Sequence, residues 1–230
     1  MPGLDRLFTN NRRWAKKTSE EDPEFFRHLA AQQSPEYLWI GCADSRVPAN
    51  EIIGLRPGEV FVHRNVANQV LLTDFNCLSV VQYAVEVLRV RHVLVCGHYS
   101  CGGVKAAFKE LRLGLIDNWL HTIALIGRKY RSRLDELAQE QLELDRLCEL
   151  NVIEQVRSLC DTSLVRNAWT RGQELTVHGV IYGLSDGILH DLNVSISSAE
   201  HSGEICDAGA DSVFTAPQNV IEPAFQAEAI

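Results

Sequence analysis

The chain is predicted to fold as an α/β domain: a mostly parallel central β-sheet with covering helices and an N-terminal helical arm. Three observations carry that prediction. Apolar runs of strand length recur, first at Tyr37-Leu38-Trp39-Ile40-Gly41-Cys42 and later at His92-Val93-Leu94-Val95-Cys96-Gly97. Segments with helical apolar spacing separate them, and an alternation of strand and helix is the signature of a parallel sheet. The length, 230 residues, suits one domain that builds its core without disulfide staples.

Taken in order, the arm over residues 1–34 reads as two amphipathic helical pieces. One lies around Leu4 to Lys17; the other follows Asp22-Pro23, where Asp can cap and Pro can occupy the first turn. The first strand ends in the polar turn Ala43-Asp44-Ser45-Arg46. Residues 59–66, bounded by Pro57-Gly58, alternate in part and form a second strand. From Asp74 to Arg89, Leu78, Val81, Val85 and Leu88 keep a helical spacing. The third strand follows at His92, and Gly102-Gly103 opens a further helix through Val104, Ala107 and Phe108. Residues 115–170 are mostly helical, with leucines among many charges. Leu175 to Tyr182 returns to strand character, and Ile188 to Ile196 supplies an edge strand. Residues 1–206 are expected to form a single domain, and 207–230, Ala-rich and without clear period, a C-terminal tail.

Lys and Arg number 22 against 30 Asp and Glu, a net charge of -8, the wrong sign for nucleic-acid binding. No run approaches the roughly 18 apolar residues of a membrane span. The opening segment lacks the apolar core of a secretory signal, and Asp5, Glu20, Glu21 and Asp22 are unlike an organelle transit peptide, so the expected location is cytoplasmic. Seven cysteines, an odd count, read as reduced thiols, and Cys77, Cys96, Cys148, Cys160 and Cys206 are assigned to packing or surface.

Ligands of an open parallel sheet bind beyond the carboxyl ends of its strands. That rule selects Gly41-Cys42-Ala43-Asp44-Ser45-Arg46 and Gly97-His98-Tyr99-Ser100-Cys101-Gly102-Gly103. Were the two strands neighbours, two thiols, an imidazole and a carboxylate would converge, a donor set suited to a catalytic zinc. Taken singly, each residue also has a plainer reading: Cys42 as a small buried residue, His98 as a hydrogen-bonded loop histidine, Asp44 to Arg46 as a polar turn. The glycine-bearing second loop lacks the Lys-Ser/Thr of a P-loop and the spacing of a dinucleotide fingerprint.

Together, Cys42-Ala43-Asp44-Ser45-Arg46 and His98-Tyr99-Ser100-Cys101-Gly102-Gly103 resemble the two zinc-site motifs of the β-class carbonic anhydrases. His63-Arg64-Asn65-Val66-Ala67, Ser79-Val80-Val81-Gln82-Tyr83-Ala84, and His178-Gly179 to Tyr182-Gly183 match further segments of that family in order, so the resemblance runs from about residue 10 to 197. It departs at Ser100, where glycine is common, and after about Glu200.

The resemblance implies one Zn²⁺ per chain on Cys42, His98 and Cys101, with Asp44 and Arg46 as a catalytic dyad. Arg46 would draw Asp44 off the metal, water would take the fourth position, and zinc-bound hydroxide would attack carbon dioxide to give bicarbonate. Phe61, Val66 and Tyr83 would line the apolar substrate pocket, with the Gly102 amide orienting the substrate; ordinary core packing is the alternative for the three side chains. Trp39, Arg64 and Tyr182, with Gly41 and Val47, resemble the bicarbonate-inhibited (type II) subgroup, in which a second bicarbonate binds beside the zinc and Asp44 swings onto the metal to close it. Arg64 could equally tie strands together. The family further implies dimers embraced by N-terminal helices, often paired into tetramers. A related substrate such as carbon disulfide or carbonyl sulfide, or a zinc protein kept closed by Asp44, are the alternatives to carbon dioxide turnover.

Overall fold

A computed structural model describes residues 2–215. Two helices, α1 (Pro2–Glu21) and α2 (Phe25–Ala31), form the arm and touch through an edge-on contact of Trp14 with Phe26, centroids 5.5 Å apart. Asp22 supports the entry to α2 by accepting the Glu24 N–H at 3.2 Å. The strands are β1 (Tyr37–Cys42), β2 (Val60–Asn65), β3 (His92–His98), β4 (Thr176–Tyr182) and β5 (Leu189–Ile196). They form one five-stranded sheet in the order β2-β1-β3-β4-β5. β1 pairs in parallel with β2 and β3, and β3 with β4; β5 is an antiparallel edge. The predicted α/β architecture is the observed one.

The order reverses between β1 and β3, because the chain leaves β1 for β2 on one side and returns to β3 on the other. Such a switch point opens a crevice at the carboxyl ends of the strands. Cys42 ends β1 and His98 ends β3.

Alternation along the strands divides the apolar residues between two faces. Leu38, Ile40, Val93, Val95, Val177 and Ile181 enter the larger core. That core is completed by α4 (Phe75–Gln82), α5 (Gly102–Phe108), α6 (Ile116–Lys129), α7 (Arg131–Leu134), α8 (Glu140–Cys160) and α9 (Ser163–Thr170). Trp39, Cys96 and Tyr182 join a smaller cluster on the opposite face, closed by Ile52 and Ile53 of α3 (Ala49–Ile53). All seven cysteines are free and buried.

Two expectations are corrected. The helix expected over 74–89 stays α-helical only to Gln82; over Tyr83–Val87 it widens into a π turn, with the Leu88 N–H reaching the Tyr83 carbonyl at 2.9 Å, and the chain leaves it at Arg89 with φ 58°. The tail expected from residue 207 begins instead as the second half of α10 (Ser202–Thr215). Cys206, Gly209, Ala210 and Val213 are buried there, and Asp207 and Asp211 pair with Arg157 and Arg133. The remainder of that segment lies outside the described residues.

Candidate metal centre

The crevice gathers three donors from two loops. Cys42 is the last residue of β1, His98 the last of β3, and Cys101 immediately precedes α5. Their ligand atoms lie within 4.8 Å of one another, all three residues are buried, and the two sulfurs are 4.0 Å apart.

The imidazole has one defined tautomer. His98 Nδ1 faces the Tyr99 carbonyl at 2.9 Å, and a carbonyl only accepts, so the ring proton sits on Nδ1. The lone pair is therefore on Nε2, which is buried and has no hydrogen-bond partner. An orphaned acceptor facing two thiols fits a cation with a taste for nitrogen and sulfur, and zinc is the first-choice ion for that set.

The thiols are unequal. The hydrogen bond from Cys101 draws the Cys42 thiol down to about 4 against the effect of burial, with the Asp44 and Ala67 amides assisting. The same contact, with burial, pushes Cys101 up. We read the pair as one that holds a single negative charge readily and keeps a proton that a cation would displace. The Ala67 N–H lies 3.3 Å from Cys42 Sγ.

Asp44 stands at the rim. Its Oδ2 is 3.8 Å from His98 Nε2, and Arg46 grips both carboxylate oxygens. Those hydrogen bonds hold the Asp44 carboxyl well below the usual carboxylate range. Arg46 Nη2 also reaches the Ser100 carbonyl at 3.5 Å. Ser100 sits in the left-handed region with φ 57°, a conformation in which glycine meets no steric penalty.

The other sequence-selected residues divide into those near the centre and those apart from it. Arg64, paired in register with Gly41, donates from Nε to the Cys42 carbonyl at 2.8 Å and from Nη2 to the Asp44 carbonyl. Trp39 is fully buried with its Nε1 unpartnered, and a Cβ on Gly41 would collide with that nitrogen. Tyr182 packs in the same cluster as Trp39 and Val47, and is the strand partner of His98. Val66 lies against Gly103, and Gly102 is exposed at the start of α5. Phe61 and Tyr83 are not brought to the thiols within the chain: Phe61 is in register with Leu38, about 13 Å of strand from Cys42 at the usual rise per residue. Its ring packs on Tyr83 at 5.8 Å, and Tyr83 is 45 % exposed.

A second donor cluster, His63, Asp74 and Cys77, is also compact. Gln69 fixes the Asn65 amide through its N–H on Oδ1 at 2.8 Å and its carbonyl on Nδ2 at 2.7 Å, so Nδ2 donates to His63 Nε2 at 3.2 Å. The imidazole lone pair is already used, and the cluster offers no free nitrogen to a metal.

Residues that the sequence did not single out support the centre from α8. Tyr99 donates to Glu149 Oε1 at 2.6 Å, and Glu149 is gripped by Arg146, both buried. Asn151 donates to the Ala67 carbonyl at 3.0 Å, and Gln155 bonds to Asn151. Their signal was available: Asn151 and Gln155 stand at i+4 and i+8 from Leu147, where an apolar stripe should continue.

A sequence model of the carbonic anhydrase family matches residues 37–189. A carbonic anhydrase of Emericella nidulans is 50% identical over 190 residues, covering 83% of each chain. Among solved structures, a Coccomyxa β-carbonic anhydrase in complex with acetazolamide superposes with a TM-score of 0.85 at 38% identity, covering 92% of this chain and 96% of that one. One of two tetrameric β-carbonic anhydrases from Sordaria macrospora gives a TM-score of 0.81 at 37% identity, covering 85% of this chain and 100% of that one.

Proposed function

Because the chain belongs to the β-class carbonic anhydrase family, lyases that interconvert carbon dioxide and bicarbonate, we propose that it does this at a single zinc ion held by Cys42, His98 and Cys101. The observation that carries the reading is the His98 Nε2 lone pair, buried without a partner among two thiols and beside a carboxylate. When bound, zinc supplies the Lewis acidity that makes a nucleophile of water near neutral pH, chemistry for which carbonic anhydrase is itself the standard example.

The chain's own residues supply orientation. Asp44, turned toward Arg46, presents a permanently charged oxygen at the rim, accepts a hydrogen bond from the attacking water and aims its lone pair at the carbon of carbon dioxide. The arrangement with Asp44 on Arg46 is the open one; a swing of the carboxylate onto the metal would break both contacts with the guanidinium. Phe61 and Tyr83 serve the apolar pocket only across a contact between copies, since they are remote from the thiols of their own chain. Exposed Leu7, Phe8 and Trp14 on α1 support assembly into a dimer or tetramer.

The finer reading is a second, inhibitory bicarbonate at Trp39, Arg64 and Tyr182. What supports it is the unpartnered Trp39 Nε1, which lies against Gly41, the strand partner of Arg64. An anion there would compete with the Asp44 carbonyl for Arg64 Nη2 and disturb the loop that carries Asp44.

The test is metal content together with stopped-flow hydration above pH 8, with and without chelator. One zinc per chain and loss of turnover on chelation are expected. Zinc without turnover, or turnover without zinc, would sink the reading.

A further inference from the structure

Helix α8 reaches the metal centre without supplying a ligand. Asn151 and Gln155, one turn apart on its buried face, are 1% and 2% exposed. Asn151 Nδ2 donates to the Ala67 carbonyl at 3.0 Å. Gln155 Nε2 donates to Asn151 Oδ1 at 3.0 Å, and Gln155 Oε1 accepts the Val70 N–H at 2.8 Å. The two amides thus tie both ends of the segment from Ala67 to Val70.

That segment needs tying. Ala67 has φ 63° and Asn68 φ 47°, two consecutive non-glycine residues in the left-handed region, which the surrounding structure must hold in place. The residue so strained is the one whose N–H points at the sulfur of Cys42, 3.3 Å away. Removing the Asn151 contact would leave the buried Ala67 carbonyl unsatisfied and free the turn to relax toward φ < 0, which rotates the peptide and takes its N–H off the sulfur.

We propose that Asn151 and Gln155 are positioning residues for the metal centre: they hold the left-handed turn at Ala67 so that its N–H fixes the direction of the Cys42 sulfur, and thereby set how long the centre retains its metal. The inference rests on the zinc reading given above. A hydrogen bond withdraws charge from a thiolate, which alone would loosen the metal. The fixed ligand direction outweighs this, and loss of such outer partners typically costs about 10- to 100-fold in metal affinity.

The experiment compares wild type, Asn151→Ala, and Asn151→Ala combined with Ala67→Gly. Zinc release into excess chromophoric chelator is timed, and the sulfur-to-metal charge-transfer absorption of the cobalt(II)-substituted protein is recorded, with near-UV circular dichroism reporting the fold. Release about 10-fold faster in the single variant with a displaced charge-transfer band is expected. Glycine at 67 accepts the left-handed conformation unaided, so the double variant should return to within about threefold of wild type. A single variant within about twofold of wild type, or a double variant that releases zinc as fast as the single one, overturns the proposal. Should Asn151→Ala fail to fold, Gln155→Met decides by the same first threshold. A wild-type chain without zinc would strike the zinc reading itself, whereas zinc-loaded wild type with unaltered release in the variants strikes only this inference.

Discussion

Arg46 grips Asp44 in a fork: Nε lies 2.9 Å from Oδ1, Nη2 lies 2.7 Å from Oδ2, and the Arg46 backbone N–H adds a third contact to Oδ1 at 2.9 Å. The guanidinium side chain is 54% exposed, so the pair adds little to stability; its worth is direction, since two parallel bonds fix the carboxylate plane as an ammonium could not. Arg46→Lys should keep its zinc and lose about 100-fold in hydration rate, the scale of a misplaced catalytic group. Stopped-flow turnover beside metal analysis reads both; a Lys variant within threefold of wild type would remove Arg46 from the dyad.

The same grip settles which group titrates. Asp44 is held below the ordinary carboxylate range, so its folded pKa is depressed relative to the unfolded chain. Its stabilisation is then fully present above the unfolded value of about 4 and is lost as pH falls below that toward the folded value. The stability gap between wild type and Asp44→Asn should stay constant from pH 6 to 9 and narrow only under strongly acidic conditions, as urea titrations across that range would show. A loss of turnover between pH 8 and 6 would then need a cause other than protonation of this carboxylate.

Metal dependence has a thermal signature. An ion that binds only the folded chain raises its stability in proportion to the logarithm of free ion over the dissociation constant, about 4 kcal/mol at a thousandfold excess. Chelator should lower the wild-type Tm by several degrees, and added zinc should restore it. Cys42→Ser should hold little zinc and show no such response. A serine variant with a full complement of zinc would mean that the donor cluster is not where the metal sits.

Trp39→Phe separates the inhibitory site from the catalytic one. The indole nitrogen is buried without a partner, a condition that costs about 1–3 kcal/mol unless a ligand relieves it. Removing the N–H should leave turnover at low bicarbonate within about threefold, leave stability near that of wild type, and weaken bicarbonate inhibition by about 10-fold, the worth of one hydrogen bond to a charged group. Inhibition by bicarbonate unchanged in this variant, or absent from wild type, would remove the second site. A wild-type rate that stays flat down to pH 6 would count against pH gating.

The strands and the donor loops were legible because their signals are local. Tyr37–Cys42 and His92–His98 are apolar runs that end in the motif residues themselves, and parallel pairing then brings Cys42 and His98 together. What escaped depends on tertiary context. The π turn at Tyr83–Val87 follows from no residue type in that stretch. The left-handed Ala67 and Asn68 carry no glycine to announce them, and are held by amides more than eighty residues away. The resemblance implies a pocket role for Phe61 and Tyr83, and the register that sets Phe61 beside Leu38 places it well along the strand from Cys42 of its own chain.

The helix read as a tail shows the same dependence and yields a sharp test. Over Ser202–Thr215 Gly209 stands in mid-helix, where glycine ordinarily costs about 1 kcal/mol relative to alanine. Propensity alone therefore predicts that Gly209→Ala stabilises. Packing predicts the opposite. A Cβ at 209 would collide with Cγ2 of Val194, a fully buried side chain of β5 that has no solvent to retreat into. Overpacking of that kind costs about 1–3 kcal/mol and outweighs the gain in propensity. Gly209→Ala should lower the denaturant midpoint with an unchanged slope, and pairing it with Val194→Ala should recover part of the loss by opening the space the methyl needs. An alanine variant more stable than wild type would show that α10 does not lie against β5 as described.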